Sequence, residues 1–133
     1  MRFKKNNNGH ILDTETNLVW CKDQSQEAMT WEEAKAYCES KGKGWRLPTI
    51  KEFQTILDYD RSTPVLPEAF SSVVSTSYWS STTYVASTGF AWYVGLGFGY
   101  VLNDNKSGSN YVWPVRDKLL SINSAKKQNN RLN

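Results

Sequence analysis

The densest group of residues able to do chemistry lies late in the chain. Gly95-Leu96-Gly97-Phe98-Gly99-Tyr100 is followed by Leu102, Asn103, Asp104 and Asn105, then by Ser107 and Asn110. Glycine at three alternate positions lets a hairpin turn sharply while leaving few side chains to pack. Phe98 and Tyr100 then project from its tip, beside amide, hydroxyl and carboxylate groups. That mixture can stack on a sugar ring or a protein surface while hydrogen-bonding to hydroxyls. Asn103-Asp104-Asn105 also offers oxygen ligands of the kind calcium takes. The glycine and later glutamate of an EF-hand loop are missing, so no metal is expected. The glycines sit between two strand-like runs and open no helix, so they form no phosphate cradle.

Catalysis finds little support elsewhere. His10, the one histidine, stands next to Gly9, with no Ser or Cys in a nucleophile motif, and reads as a surface or turn residue. Glu32-Glu33 suits the first turn of a helix, where negative charge is favourable, and Asp58 and Asp60 fall in a polar loop. Cys21 and Cys38 permit one disulfide without requiring it. They form no CxxC pair, and with a single His a zinc site lacks soft ligands. The expectation is a non-enzymatic chain without a cofactor.

The elements that would position these groups are readable from local patterns. Ile11–Asp13 and Leu18–Cys21, separated by Thr14-Glu15-Thr16-Asn17, read as a small hairpin or meander. Thr30 and Glu33 form a capping box ahead of a helix whose apolar stripe is Trp31, Ala34 and Cys38, ending near Ser40 before Gly42 and Gly44. Thr49 and Glu52 repeat the device for a second helix with Ile50, Phe53, Ile56 and Leu57 on its buried face. Asp58 to Pro67 holds turn formers and two prolines and reads as a surface loop. From Tyr78 onward the texture is β, with runs at Tyr78–Ser81, Phe90–Val94, Gly99–Leu102 and Tyr111–Arg116. Alternation puts Trp92, Val94, Leu96 and Val101 on one face, and Tyr93, Gly95, Tyr100 and Leu102 on the other. Pro114 has no N–H, so its strand must lie at an edge or bulge there.

Length and charge bound the answer further. The 133 residues suit one domain with its own core, and six Trp and seven Tyr supply large side chains for it. No run reaches the roughly 20 apolar residues of a membrane-spanning helix. The net charge of +3 comes from the ends. Between Asn6 and Asp117, nine Lys and Arg face thirteen Asp and Glu, a balance of −4. An acidic body argues against a nucleic-acid binder, which needs clustered basic residues. The fold class is α+β in one domain over residues 1–117, with a basic, disordered tail over 118–133. No apolar run follows the charged start, so the compartment stays open: cell surface if the domain was trimmed from a longer secreted chain, cytoplasm otherwise.

Several anchors occur in an order that resembles the Lcl C-terminal domain family. They are Leu18-Val19-Trp20, Met29-Thr30-Trp31-Glu32-Glu33-Ala34, Trp45-Arg46-Leu47-Pro48-Thr49, Tyr78-Trp79-Ser80-Ser81, Ala91-Trp92-Tyr93-Val94, Asn105-Lys106 and Val115-Arg116. The resemblance runs from about Phe3 to Asp117. It implies a bacterial, C-type-lectin-like fold, two helices packed on small antiparallel sheets, of a kind typical of secreted or surface proteins. The name-giving member is an adhesin for sulfated glycosaminoglycans, and some relatives are variable proteins of diversity-generating retroelements. Carried over, the displayed and diversified positions would be Gly95, Gly97, Phe98, Tyr100, Leu102, Asn103, Asp104, Ser107, Gly108 and Trp113. Trp92, Gly99, Val101, Lys106 and Arg116 would stay fixed.

Many relatives carry Cys where this chain has Pro114, as partner to the helix cysteine, here Cys38. Cys38 is therefore free or paired with Cys21, with the free buried thiol favoured. The expected function is a ligand-binding, adhesin-like module for a protein or glycan on a cell or host surface, with contacts led by Phe98, Tyr100, Asn103, Asp104, Asn105 and Asn110. No nucleic acid and no membrane insertion are expected, and the oligomeric state stays open. The alternatives are a glycosaminoglycan adhesin, a relative of formylglycine-generating enzymes, and a purely oligomerising domain. An acidic body suits sulfated chains poorly, and the enzyme needs a reactive cysteine.

Overall fold

The structure is a computed structural model that describes residues 1–118. The expected tail, Lys118 apart, lies outside the described residues. Three short strands open the chain: β1 Phe3–Lys5, β2 Ile11–Asp13 and β3 Leu18–Trp20. β2 and β3 form the expected hairpin, with Asn17 in the left-handed region at φ 59°, where Asn is tolerated. β1 has no signature in the sequence, since Phe3-Lys4-Lys5 is too short to alternate. It is held by pairing with β2 and by Phe3 packing edge-on against Phe70 at 5.0 Å.

Both helices form where their capping boxes begin. α1, Trp31–Ser40, has Thr30 Oγ1 accepting from the Glu33 N–H at 3.3 Å, and a Glu33 carboxylate oxygen accepting from the Thr30 N–H at 2.9 Å. α2, Ile50–Gln54, repeats this with Thr49 and Glu52. Five residues are too few for a helix stable on its own. Arg46 anchors α2 from outside by a bidentate pair with Glu52 at 2.8 and 2.9 Å. Phe53 is buried as the stripe predicts, with Ile50 partly buried beside it; the helix ends at Gln54, so Ile56 and Leu57, expected on its face, pack on the same core from beyond it.

After a 3-10 turn at Glu68–Phe70 come β4 Ser77–Thr83, β5 Phe90–Gly95 and β6 Tyr100–Asn105, an antiparallel sheet in that order. The last strand, β7 Val115–Asp117, returns to pair with β3 and completes a four-stranded sheet in the order β1-β2-β3-β7. The expected strand over Tyr111–Arg116 is therefore only partly formed. It begins after Pro114, which has no N–H to return to the ladder with β3. Tyr111 to Pro114 instead runs irregularly between the elements. The Cys21 N–H donates to Pro114 O and the Ser25 N–H to Val112 O.

The core has two parts, one on each face of β4 and β5. Tyr78 and Val94 point to a cluster with Trp20, Phe53, Phe70 and Trp113. Trp79 and Ala91 point to a cluster with Trp31, Ala34 and Cys38 on α1. Three of these tryptophans satisfy their N–H in the interior: Trp113 donates to Cys21 O, Trp79 to Met29 O and Trp31 to Ser80 O, all within 2.9 Å. Trp20 Nε1 is buried without a partner among the described residues. Trp20→Phe removes that unpaired donor, whereas Trp113→Phe strands a carbonyl. Urea unfolding is expected to show Trp20→Phe as the milder substitution by about 1–2 kcal/mol. Equal losses would mean that the Trp20 N–H is satisfied in solution.

Candidate functional site

The β5–β6 hairpin carries most of the predicted site. Gly95 pairs with Tyr100, Tyr93 with Leu102 and Ala91 with Asp104 on one face; Val94 pairs with Val101 and Trp92 with Asn103 on the other. This is the sidedness that alternation predicts. The turn Leu96–Gly99 closes with the Gly99 N–H donating to Gly95 O at 2.8 Å. Gly99 has φ +85°, a conformation that suits glycine, and a Cβ there would fall 2.8 Å from the Tyr59 ring. A Cβ on Gly95 would fall 2.5 Å from the Tyr100 ring, so Tyr100 lies directly over it.

The tip is tied down by chain on its flanks. The Leu96 N–H donates to Thr76 O, the Val65 N–H to Leu96 O and the Thr63 N–H to Gly97 O. The segment read as a surface loop, Asp58 to Pro67, thus does more than connect: Val65 and Leu66 are buried, and the loop braces the hairpin. Its Tyr59 donates from its hydroxyl to Gly99 O at 3.2 Å. Tyr59 is the site residue that sequence reasoning missed.

Exposure sorts the predicted residues. Phe98 is 80% exposed, Tyr59 72%, Leu102 50% and Tyr100 45%, an unusual concentration of large apolar side chains around one hairpin. Gly97 and Asn103 are half-buried, and Asn105 and Ser107 are exposed. Three predicted contact residues are placed elsewhere. Trp113 is wholly buried among Trp20, Phe70 and Phe53 and has no access to a ligand. Asn110 is buried, exchanging backbone hydrogen bonds with Met29 and donating from Nδ2 to Asp104 Oδ2 at 3.2 Å. Gly95 is buried beneath Tyr100.

The polar run beyond the hairpin is largely engaged in shaping its own turn. Asn105 Oδ1 accepts from the Ser107 N–H and hydroxyl, and Gly108 leaves room for the Asp104 carboxylate, which a Cβ would meet at 2.7 Å. Lys106 lies 4.0 Å over the Trp31 ring and donates to Thr83 Oγ1, so it joins the sheet to α1. Arg116 sits similarly over Trp45.

Elsewhere the titratable groups are in structural settings. His10 Nδ1 accepts from the Lys22 N–H at 3.0 Å and its ring packs on Trp45. Burial, and then the positive charges of Arg116 and Lys22, lower its pKa, which favours the neutral ring that this bond needs. Cys21 and Cys38 are both buried and free. Burial raises the Cys21 thiol and pushes Cys38 up to about 12, far from the thiolate that nucleophilic chemistry requires. Among the described residues no cluster of His, Cys, Asp and Glu is arranged to hold a metal ion. A cavity of about 660 Å³ lies away from the hairpin, against Phe3, Ile11, Cys21, Phe70 and Val73.

Capped helices on small antiparallel sheets, with the first and last strands in one sheet and a braced hairpin displayed, define a small α+β domain whose outstanding surface feature is that hairpin. Residues 9–116 match the family model of the Lcl C-terminal domain, well over half the chain, and the protein belongs to that family. Membership makes its fold C-type-lectin-like. No curated protein matches the chain.

Proposed function

We propose that this domain is a non-enzymatic binding module that recognises a protein or glycan through the β5–β6 hairpin. The observation that carries the reading is the cluster of exposed Phe98, Tyr100 and Leu102 with Tyr59, held on a tip whose backbone is hydrogen-bonded to two flanking segments. Large side chains on a pre-organised support lose little conformational freedom on binding, which is what makes aromatic contacts effective. Asn103, Asn105, Ser107 and the Asp104 carboxylate supply polar groups beside them. Family membership is in keeping with a displayed ligand surface, of the adhesin or the diversified kind, on a secreted or surface protein. The high-pKa, buried thiols speak against the formylglycine-generating alternative. The acidic body makes a sulfated glycosaminoglycan the less suitable ligand among glycans.

A combined glycan and protein array tests the proposal and separates its two ligand classes. The parent domain should retain a hit that Phe98→Ala loses by at least about tenfold, the scale of one aromatic anchor. Equal binding by parent and variant would show that the tip is not the recognition surface.

A further inference from the structure

We propose that the chain pairs with a second copy of itself along the outer edge of β6, joining two three-stranded sheets into one of six strands. Among the described residues, three of the four sheet edges are closed or guarded. β1 is only three residues long and presents the exposed Lys4 and Lys5, a pattern that discourages strand addition. The outer side of β7 exchanges backbone hydrogen bonds with Arg46, each 2.9 Å. β4 is covered by Pro48 and Tyr111: the Ser81 N–H donates to Pro48 O, the Trp79 N–H to Tyr111 O and the Tyr111 N–H to Ser77 O.

β6 has none of these protections. It pairs with β5 residue for residue without a bulge, contains no Lys, Arg or Pro, and exposes Tyr100 and Leu102. The Lys106 N–H bond to Gly89 O extends the ladder and sets its parity. Tyr100, Leu102 and Asp104 are then the residues bonded to β5, and the N–H and C=O groups of Val101 and Asn103 point outward. Among the described residues, no backbone group outside β5 bonds to either. An unprotected edge of this kind calls for another strand.

The strand's own order of residues selects a second copy as that partner. In an antiparallel pair centred on Leu102, Val101 of each copy faces Asn103 of the other, so the outward groups close the ladder on both sides of the axis. Leucine meets leucine at the two-fold axis, in the closely spaced position where side chains touch best. Tyr100 faces Asp104 of the other copy, and no carboxylate opposes itself. Centring on Asn103 would instead set Leu102 against Asp104. In the Leu102 register the two hairpin tips lie at opposite ends of the joined edge, each with Phe98 and Tyr59 still outside. Tyr100 and Leu102 are shared with the ligand reading, whereas Phe98 and Tyr59 belong to that reading alone, so Phe98→Ala tests the ligand surface and Leu102→Lys tests the dimer.

Sedimentation over a concentration series tests it. The parent should sediment as a dimer, and Leu102→Lys, folded by circular dichroism, should weaken that dimer at least about tenfold. Val85→Lys, at an exposed apolar position in the β4–β5 turn, should leave it unchanged. Leu102→Cys should cross-link to a covalent dimer under mild oxidation, whereas Ser107→Cys should not; the native thiols are buried and do not compete. A parent that stays monomeric overturns the proposal. So does a dimer that survives Leu102→Lys and gives no cross-link through Leu102→Cys.

Discussion

Trp113→Ala is expected to destabilise the domain by about 3–5 kcal/mol, the range for emptying a large aromatic site in a packed core. Trp113 is wholly buried and its ring centroid lies 4.7 Å from that of Trp20 and 5.3 Å from that of Phe70, with Tyr78 and Phe53 just beyond. Its N–H donates to Cys21 O, tying the irregular segment before β7 to the end of β3. Removing it opens a cavity shared by both sheets and strands that carbonyl. Because small domains are stable by only about 5–15 kcal/mol, much of the population should unfold at modest urea concentrations. A loss below about 1 kcal/mol would show that Trp113 is outside the core, where the family resemblance puts it.

The second large effect is expected at Glu52. Its carboxylate accepts both Arg46 hydrogen bonds and also caps α2 by accepting the Thr49 N–H at 2.8 Å. Glu52→Gln gives up the charge and half of the bidentate geometry, leaving a half-buried guanidinium beside a neutral amide. A loss of about 2–3 kcal/mol at neutral pH follows from the charge-assisted bonds and the cap together. The same group gives a pH signature. Burial works against its charge, yet Arg46 and the Thr49 N–H outweigh burial and hold the carboxyl below its ordinary value of 4.5. The unfolded chain therefore binds more protons in the window just below 4.5, so stability rises with pH there. The contribution is complete above that window and is lost as pH falls through the folded-state value. Urea unfolding from pH 7 to pH 3 should show parent and Glu52→Gln converging on acidification. A gap that stays constant would mean that the carboxylate charge contributes nothing.

The sequence was most legible where its signals are local. Both capping boxes lie within four residues of chain, and each begins a helix where Thr and Glu place it. The two faces of the β5–β6 hairpin follow from alternation alone. What was not legible depends on contacts distant in sequence. β1 exists because β2 is beside it, and Tyr59 joins the site because its loop docks on a hairpin about 40 residues later. Asn110 reads as a free amide until its bonds to Met29 and Asp104 are seen. Trp113 is instructive in a different way. The family resemblance sets it among the displayed positions, yet it packs with Tyr111 and Val115 on one cluster.

The exposed aromatic cluster therefore comes down to a few side chains on a braced support, and its role is measurable. Binding of the array-identified ligand should be titrated against the parent, the Tyr59→Ala/Phe98→Ala double variant and Val85→Ser, an exposed apolar control away from the hairpin tip. The account predicts that the double variant, with unchanged circular dichroism, loses at least about 100-fold in affinity, while Val85→Ser binds like the parent. A folded double variant that binds as tightly as the parent would contradict it.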